Sequence, residues 1–178
     1  GGDGDDVLSG GAGVDKIFGQ AGNNTLNGGA GNDLLFGDIN DDVIRGGDDD
    51  DIIKGGNGSN QLFGDAGNDL IRGGNDSDTI DGGDGNDTIF GNVGVDTIFG
   101  GIGNDTIFGG FGDDTINAGE GINTVYGDAG SDTYQFEQVV STTFLKDFET
   151  ADTLDFRYQD GVDDNSQSAV SINQVGNN

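Results

Sequence analysis

Counted in blocks of nine from Gly1, the chain places an aspartate or asparagine at the sixth position of fifteen consecutive blocks, without insertion or deletion, through Gln135. Aspartate holds that position in twelve blocks and asparagine in three, at Asn24, Asn60 and Asn123. The chemistry open to such a series is narrow. Carboxylates can do acid–base work, form Asx turns or ligate a hard cation. Acidic residues crowd the whole chain, so no particular pair stands out as an acid–base couple, and no residue set supports catalysis. Turn formation alone does not explain fifteen such residues in one frame. The chain has no histidine and no cysteine, which removes imidazole and thiolate ligands, hydrolytic triads, thiol nucleophiles and disulfides. The donor that remains in abundance is oxygen.

The elements that would position these residues are written in the other columns. From Gly82 to Asn117 the sequence reads GGDGNDTIFGNVGVDTIFGGIGNDTIFGGFGDDTIN, one phrase repeated four times. The first position is glycine in every block except the one opening at Ala118. The fourth is glycine except at Asn40, Asp49 and Asp76, the residue types that best tolerate left-handed backbone angles. The eighth is Leu, Ile or Val until Tyr134 closes the series. One aliphatic residue per nine is too thin for a sandwich core but enough to fill a slot between two short-stranded sheets.

Composition sets a second condition. The 178 residues include 38 glycines, no proline, and 34 acidic against 6 basic side chains, for a net charge of −28, with 31% apolar residues. So little apolar surface and so much charge leave conformational entropy unopposed, and each glycine adds to that entropy. Something beyond burial must stabilise a fold. The charge also argues against nucleic acid as a partner, and no apolar run is long enough to span a bilayer. The chain begins in mid-pattern without methionine or signal peptide, which reads as a fragment of a longer protein.

The nonapeptide resembles the repeat of the RTX, or haemolysin-type calcium-binding, family, a parallel β-helix repeat that binds Ca²⁺. The resemblance covers residues 1–135 and implies an all-β, right-handed parallel β-roll, with two repeats per eighteen-residue coil. In each repeat the first six residues would turn and the last three would form a strand. Coils stacked at about 4.8 Å would give a rod roughly 36 Å long. Odd-numbered repeats would turn along one edge and even-numbered repeats along the other, so the sixth-position carboxylates would form two columns of like charge.

Calcium between successive turns would relieve that repulsion, because it accepts six to eight oxygens in a tolerant geometry, whereas magnesium demands a tight octahedron. The resemblance implies as ligands Asp6, Asp15, Asp33, Asp42, Asp51, Asp69, Asp78, Asp87, Asp96, Asp105, Asp114 and Asp132, with turn carbonyls completing each shell. Full occupancy would be about thirteen ions, nearly neutralising the chain. The site between Asp87 and Asp105, with carbonyls of Gly82, Gly83, Gly85, Gly100, Gly101 and Gly103, is expected to be among the tightest. Asn24, Asn60 and Asn123 keep a ligating oxygen but lose the charge, so their sites should be weaker. The acids at positions three and five (Asp3, Asp5, Asp48, Asp50, Asp84, Asp113 and Glu120) read as solvated surface. Asp38, Asp65 and Asp128 at position two are open between ligand and surface.

Beyond Gln135 the glycines thin, and alternating segments such as TTFLKDF and DTLDF read as strands of a cap over residues 136–178. Tyr134, Phe136, Phe144, Leu145, Phe148, Leu154 and Phe156 could plug the roll, with a frayed tail from residue 159. The resemblance implies a secreted or cell-surface bacterial module that folds on extracellular calcium and supports type I secretion. An adhesion, fibre-assembly or polysaccharide-binding surface is the alternative, and a module of a secreted hydrolase or epimerase a third. For the alternative, the even-repeat face is the candidate, because Phe18, Phe36, Phe90, Phe108 and Tyr126 should project from it beside Lys16, Lys54 and Arg72. Self-association, another protein or a saccharide could cover that face. An aromatic ladder that covers itself is the competing expectation.

Overall fold

In a computed structural model, residues 1–136, 141–156 and 169–172 are described, the last four by their backbone alone. All regular structure among them is strand, nineteen in total, in two parallel sheets. Even-repeat strands form a ten-stranded sheet and odd-repeat strands a nine-stranded one, and the chain alternates between them. The result is a β-solenoid of about eight turns of roughly eighteen residues. Register is uniform through the repeats: Thr88 pairs with Thr106, Ile89 with Ile107 and Phe90 with Phe108.

Position eight points into the slot. Leu26, Leu35, Ile44, Ile53, Leu62, Ile71, Ile80, Ile89, Ile98 and Ile107 are all fully buried, as is Val125, with Ile17 at the first end and Leu145 at the last. Burying such a side chain is worth about 1.5–3 kcal/mol. Aliphatic residues of similar size stack in register from coil to coil, which is why a one-residue core suffices.

The strands are longer than the repeat phrase predicts. Thr88–Val93 and Thr106–Phe111 are typical: six residues, covering positions seven to nine and the first three of the next repeat. Position one can stay in the sheet because glycine there has no Cβ to fill the slot. Position two bends without breaking the ladder, since Gly83, Gly101 and Gly110 adopt φ of 101°, 101° and 114°. The true turn is therefore positions four to six.

After Gln135 the spacing changes. Gly121 pairs with Ser141 and Thr133 with Thr153, twenty residues apart instead of eighteen. Tyr134 and Leu145 are buried, and Phe136, Phe148 and Leu154 pack against the core. Phe144 is half-buried and Phe156 stays 48% exposed, so five of the seven candidate plugs reach the slot. Part of the expected tail is ordered differently: Ala169–Ile172 pairs with Ser141–Leu145 and extends the even sheet by one strand. An edge strand presents unpaired backbone groups, and this segment satisfies them. The rest of the expected tail lies outside the described residues.

Candidate metal centre

Each sixth-position aspartate closes a turn and opens a strand, and its backbone groups are committed before its side chain is considered. The carbonyl of Asp87 accepts the N–H of Thr106 in the next coil at 2.9 Å. Its own N–H, which faces the next turn rather than a strand, donates to Oδ1 of Asp105 at 3.0 Å. The same bond runs along both edges, from Asp51 N–H to Asp69 Oδ1 at 2.7 Å and from Asp96 N–H to Asp114 Oδ1 at 2.8 Å. One carboxylate oxygen per turn thus replaces the backbone acceptor that the turn removes.

The other oxygen has no such role. Oδ2 of Asp15, Asp33, Asp42, Asp51, Asp69, Asp78, Asp87, Asp96, Asp105, Asp114 and Asp132 is buried and receives no hydrogen bond from the protein. Each points at the Cα of its own repeat's first residue, and all but Asp132 lie beside the carbonyl of the equivalent residue one coil later. At Gly82 a Cβ would collide with both Asp87 Oδ2 and the Gly100 carbonyl, and at Gly10 with Asp15 Oδ2 and the Gly28 carbonyl. Glycine at position one keeps open a space walled by anionic and carbonyl oxygen.

The electrostatics match this picture. Burial, reinforced by the Asp69 and Asp33 charges, pushes Asp51 up to about 7, against the backbone hydrogen bond that lowers it. Burial likewise raises Asp69, Asp78 and Asp114 to about 7, and Asp87, Asp105 and Asp132 to about 6. A buried carboxylate with an unpaired oxygen is costly unless neutralised. Among the described residues no three acidic side chains converge on one point. An ion here would therefore take carboxylate oxygen from the turns and complete its shell from main-chain carbonyls, a donor set of hard oxygens only. That set suits calcium.

The remaining sequence candidates sort as follows. Gly82, Gly83, Gly100 and Gly101 lie in strands Thr79–Asp84 and Thr97–Ile102, and only Gly85 and Gly103 in the stacked turns, where a Cβ would run into the carbonyl of the same position one coil earlier. Repeats two and four, with Asp15 and Asp33, present the same arrangement. Asn24, Asn60 and Asn123 occupy the aspartate position but orient an amide N–H where the others hold Oδ2. Asn24 donates to the Gly22 carbonyl at 2.9 Å, Asn60 to Gly58 at 3.0 Å, and Asn123 to Ala118 at 2.9 Å. Asp38, Asp65 and Asp128 sit at φ of 83°, 70° and 65°, Asp65 in a 3.1 Å surface ion pair with Arg45.

Position five does more than face solvent. Asp5 Oδ1 accepts the N–H of Asn23, Asp50 Oδ1 that of Asn68, and Asp113 Oδ1 that of Ser131, at 2.7–2.8 Å. Asn68, Asn86 and Asn104 continue the ladder on the even edge up to Ile122. Position-six side chains take an N–H from the coil before and polar position-five side chains one from the coil after, so the turns that carry both, such as those of Asp50–Asp51 and Asn86–Asp87, are clamped in both directions. The abundance of Asn, Asp and Ser in column five is the signal that could have revealed this. In the cap, Asp147 takes the N–H groups of Gly127 and Asp128, and Asp152 those of Asp132 and Glu149. Asp3, Asp48, Asp84 and Glu120 at position three are exposed.

On the outer even face the aromatics stack on one another. Ring centroids lie 4.9 Å apart for Phe18 and Phe36, 4.9 Å for Phe90 and Phe108, and 4.7 Å for Phe108 and Tyr126. Lys54 leans over Phe36 at 5.3 Å and Arg72 over Phe90 at 4.5 Å, so two adjacent like charges diverge onto opposite stacks. This geometry favours the self-covering ladder.

No helix long and apolar enough to cross a membrane occurs among the described residues. No curated protein matches the chain. A family model described as the RTX calcium-binding nonapeptide repeat matches in four copies, over residues 1–35, 36–71, 72–107 and 108–135. With the two-edged columns of inward carboxylates on the same residues, the chain belongs to the RTX calcium-binding nonapeptide repeat family.

Proposed function

We propose that this is a calcium-dependent folding module of a secreted bacterial protein, itself non-catalytic, that stays unfolded in low calcium and closes into the roll outside the cell. The observation that carries the reading is the row of buried Oδ2 atoms without a hydrogen-bond donor. At neutral pH these carboxylates repel one another along each edge, and a divalent cation between turns reverses the sign of that interaction. Because the oxygens at each gap come from successive coils, Asp87 and Gly100 for example, the site exists only in the folded coil, so binding free energy is folding free energy. Affinity of about 10⁻⁴–10⁻³ M, usual for extracellular calcium modules, would keep the chain extended for passage through a type I export channel and fold it afterwards.

Circular dichroism tests this. The chain should be largely disordered in a chelator at pH 7.5 and turn β-rich with a steep response as calcium is added, while magnesium substitutes poorly. A full β spectrum in excess chelator at that pH would overturn the reading.

A further inference from the structure

We propose that the calcium columns are interrupted by design: the gaps served by Asn24 and Asn60 are closed by an amide proton in place of an ion, and the even column ends at the Ala118–Asn123 turn. This rests on the calcium reading above and concerns which gaps take the ion.

The fifteen turns leave thirteen gaps between a repeat and the one a coil later. In eleven of them, an aspartate Oδ2 and the next coil's first-position carbonyl flank the same glycine Cα. In the other two, at Gly19 and Gly55, the atom in that place is Nδ2 of Asn24 or Asn60. The amide orientation is determined from both sides. Oδ1 of Asn24 accepts the N–H of Asp6 at 3.0 Å, and Oδ1 of Asn60 that of Asp42 at 3.0 Å. Nδ2 meanwhile donates to the carbonyl two residues back, Gly22 or Gly58. Turning the amide over would set oxygen against oxygen and N–H against N–H. With its oxygen turned to the neighbouring N–H and a donor facing the gap, the asparagine offers a cation there neither charge nor a lone pair.

The turn of repeat fourteen closes more completely. It alone begins with alanine instead of glycine, and it also carries asparagine at position six. A Cβ at position one fills the space that glycine keeps open, and Asn123 Nδ2 bonds the Ala118 carbonyl. Two independent substitutions in one turn remove the same two features of a site. The odd column ends differently. Beside Gly127, the Tyr134 hydroxyl takes the place where other turns put a next-coil carbonyl, and neither it nor Asp132 Oδ2 is hydrogen-bonded. Asp152, next in line, engages both oxygens with N–H groups.

Calcium is therefore distributed unequally. Along the even edge the aspartates run unbroken from Asp15 to Asp105, whereas on the odd edge the coils around Asn24 and Asn60 are held by neutral amides. In the first half of the roll the even edge is metal-braced throughout, whereas the odd edge alternates, with ions at the Gly1 and Gly37 gaps and amides at the Gly19 and Gly55 gaps.

Native mass spectrometry of the full chain at saturating Ca²⁺, with Asn60→Asp and Asp96→Asn beside the wild type, tests the assignment. Asn60→Asp should bind one ion more than wild type and Asp96→Asn one fewer. In the calcium-loaded wild type, the Asn60 side-chain amide protons should exchange with solvent slowly. An unchanged count in a folded Asn60→Asp would overturn the proposal, because the gap would already hold an ion. Should that variant not fold, an unchanged count in Asp96→Asn or fast exchange at Asn60 would overturn it equally. No calcium uptake by the wild type would instead overturn the calcium reading itself.

Discussion

The backbone N–H of Asp69 donates to Oδ1 of Asp87, eighteen residues on, at 2.8 Å. This bond gives the side chain a structural role that is separate from ion binding. Asp87→Ala removes the acceptor and the ligand together. It should cost about 1–3 kcal/mol in saturating calcium from the stranded N–H, besides the lost ion. Asp87→Asn keeps the acceptor and should cost less in calcium. In chelator the same variant should be more ordered than wild type, because a buried charge is gone. Calcium-dependent melting curves of both variants check the pair; equal melting points would contradict the division of labour between the two oxygens.

The pH dependence follows from the raised carboxylates. Asp51, Asp69, Asp78 and Asp114 titrate near 7 in the folded chain and Asp87, Asp105 and Asp132 near 6, all above the ordinary 3.8. A group whose folded pKa is raised stabilises the fold in its protonated form. That contribution is complete below about pH 4 and is lost as pH rises through 6 to 7. Calcium-free protein should thus show more β structure by circular dichroism at pH 5 than at pH 8, and calcium affinity should fall on acidification. A calcium-free fold that is stronger at pH 8 would contradict the sign.

Glycine has different duties at positions one and two, and substitution should separate them. Gly91→Ala places a Cβ against Asp96 Oδ2 and the Gly109 carbonyl, so it should lower both calcium stoichiometry and stability, the latter by about 1–3 kcal/mol. Gln20 is at position two with φ of 74°, a left-handed angle that a residue with a Cβ adopts at a cost. Gln20→Gly should stabilise the roll by about 1 kcal/mol without changing the ion count. Chemical denaturation in calcium measures both.

The aromatic ladder should act on stability more than on association. Phe90→Ser removes the stack on Phe108 and the surface under Arg72, which should cost about 0.5–1.5 kcal/mol beyond lost burial. Sedimentation of wild type and the Phe36→Ser, Phe90→Ser double variant in calcium checks the alternative. A wild-type oligomer that the double variant dissolves would assign that face to a partner instead.

Much of this protein is legible in one dimension because each coil contacts only its neighbours, so sequence period becomes spatial stacking directly. With the two-repeat coil that the family resemblance implies, the inward aliphatics such as Ile89 and Ile107 and the alignment of the position-six residues on two edges follow from the strict nine-residue frame. The left-handed turn at position four was visible in Asn40, Asp49 and Asp76. Position two carries the same residue types at positive φ, in Asp38, Asn92 and Asp128. What the repeat could not reveal is how atoms within one side chain divide their work. Only stacking decides that Oδ1 of Asp105 meets the N–H of Asp87 while Oδ2 turns inward. Only stacking likewise decides that Asn60 presents its amide proton where an aspartate presents oxygen, or that position-five side chains brace the following coil. Those outcomes depend on where neighbouring N–H and C=O groups point, and that direction is a property of the folded coil, not of the residue.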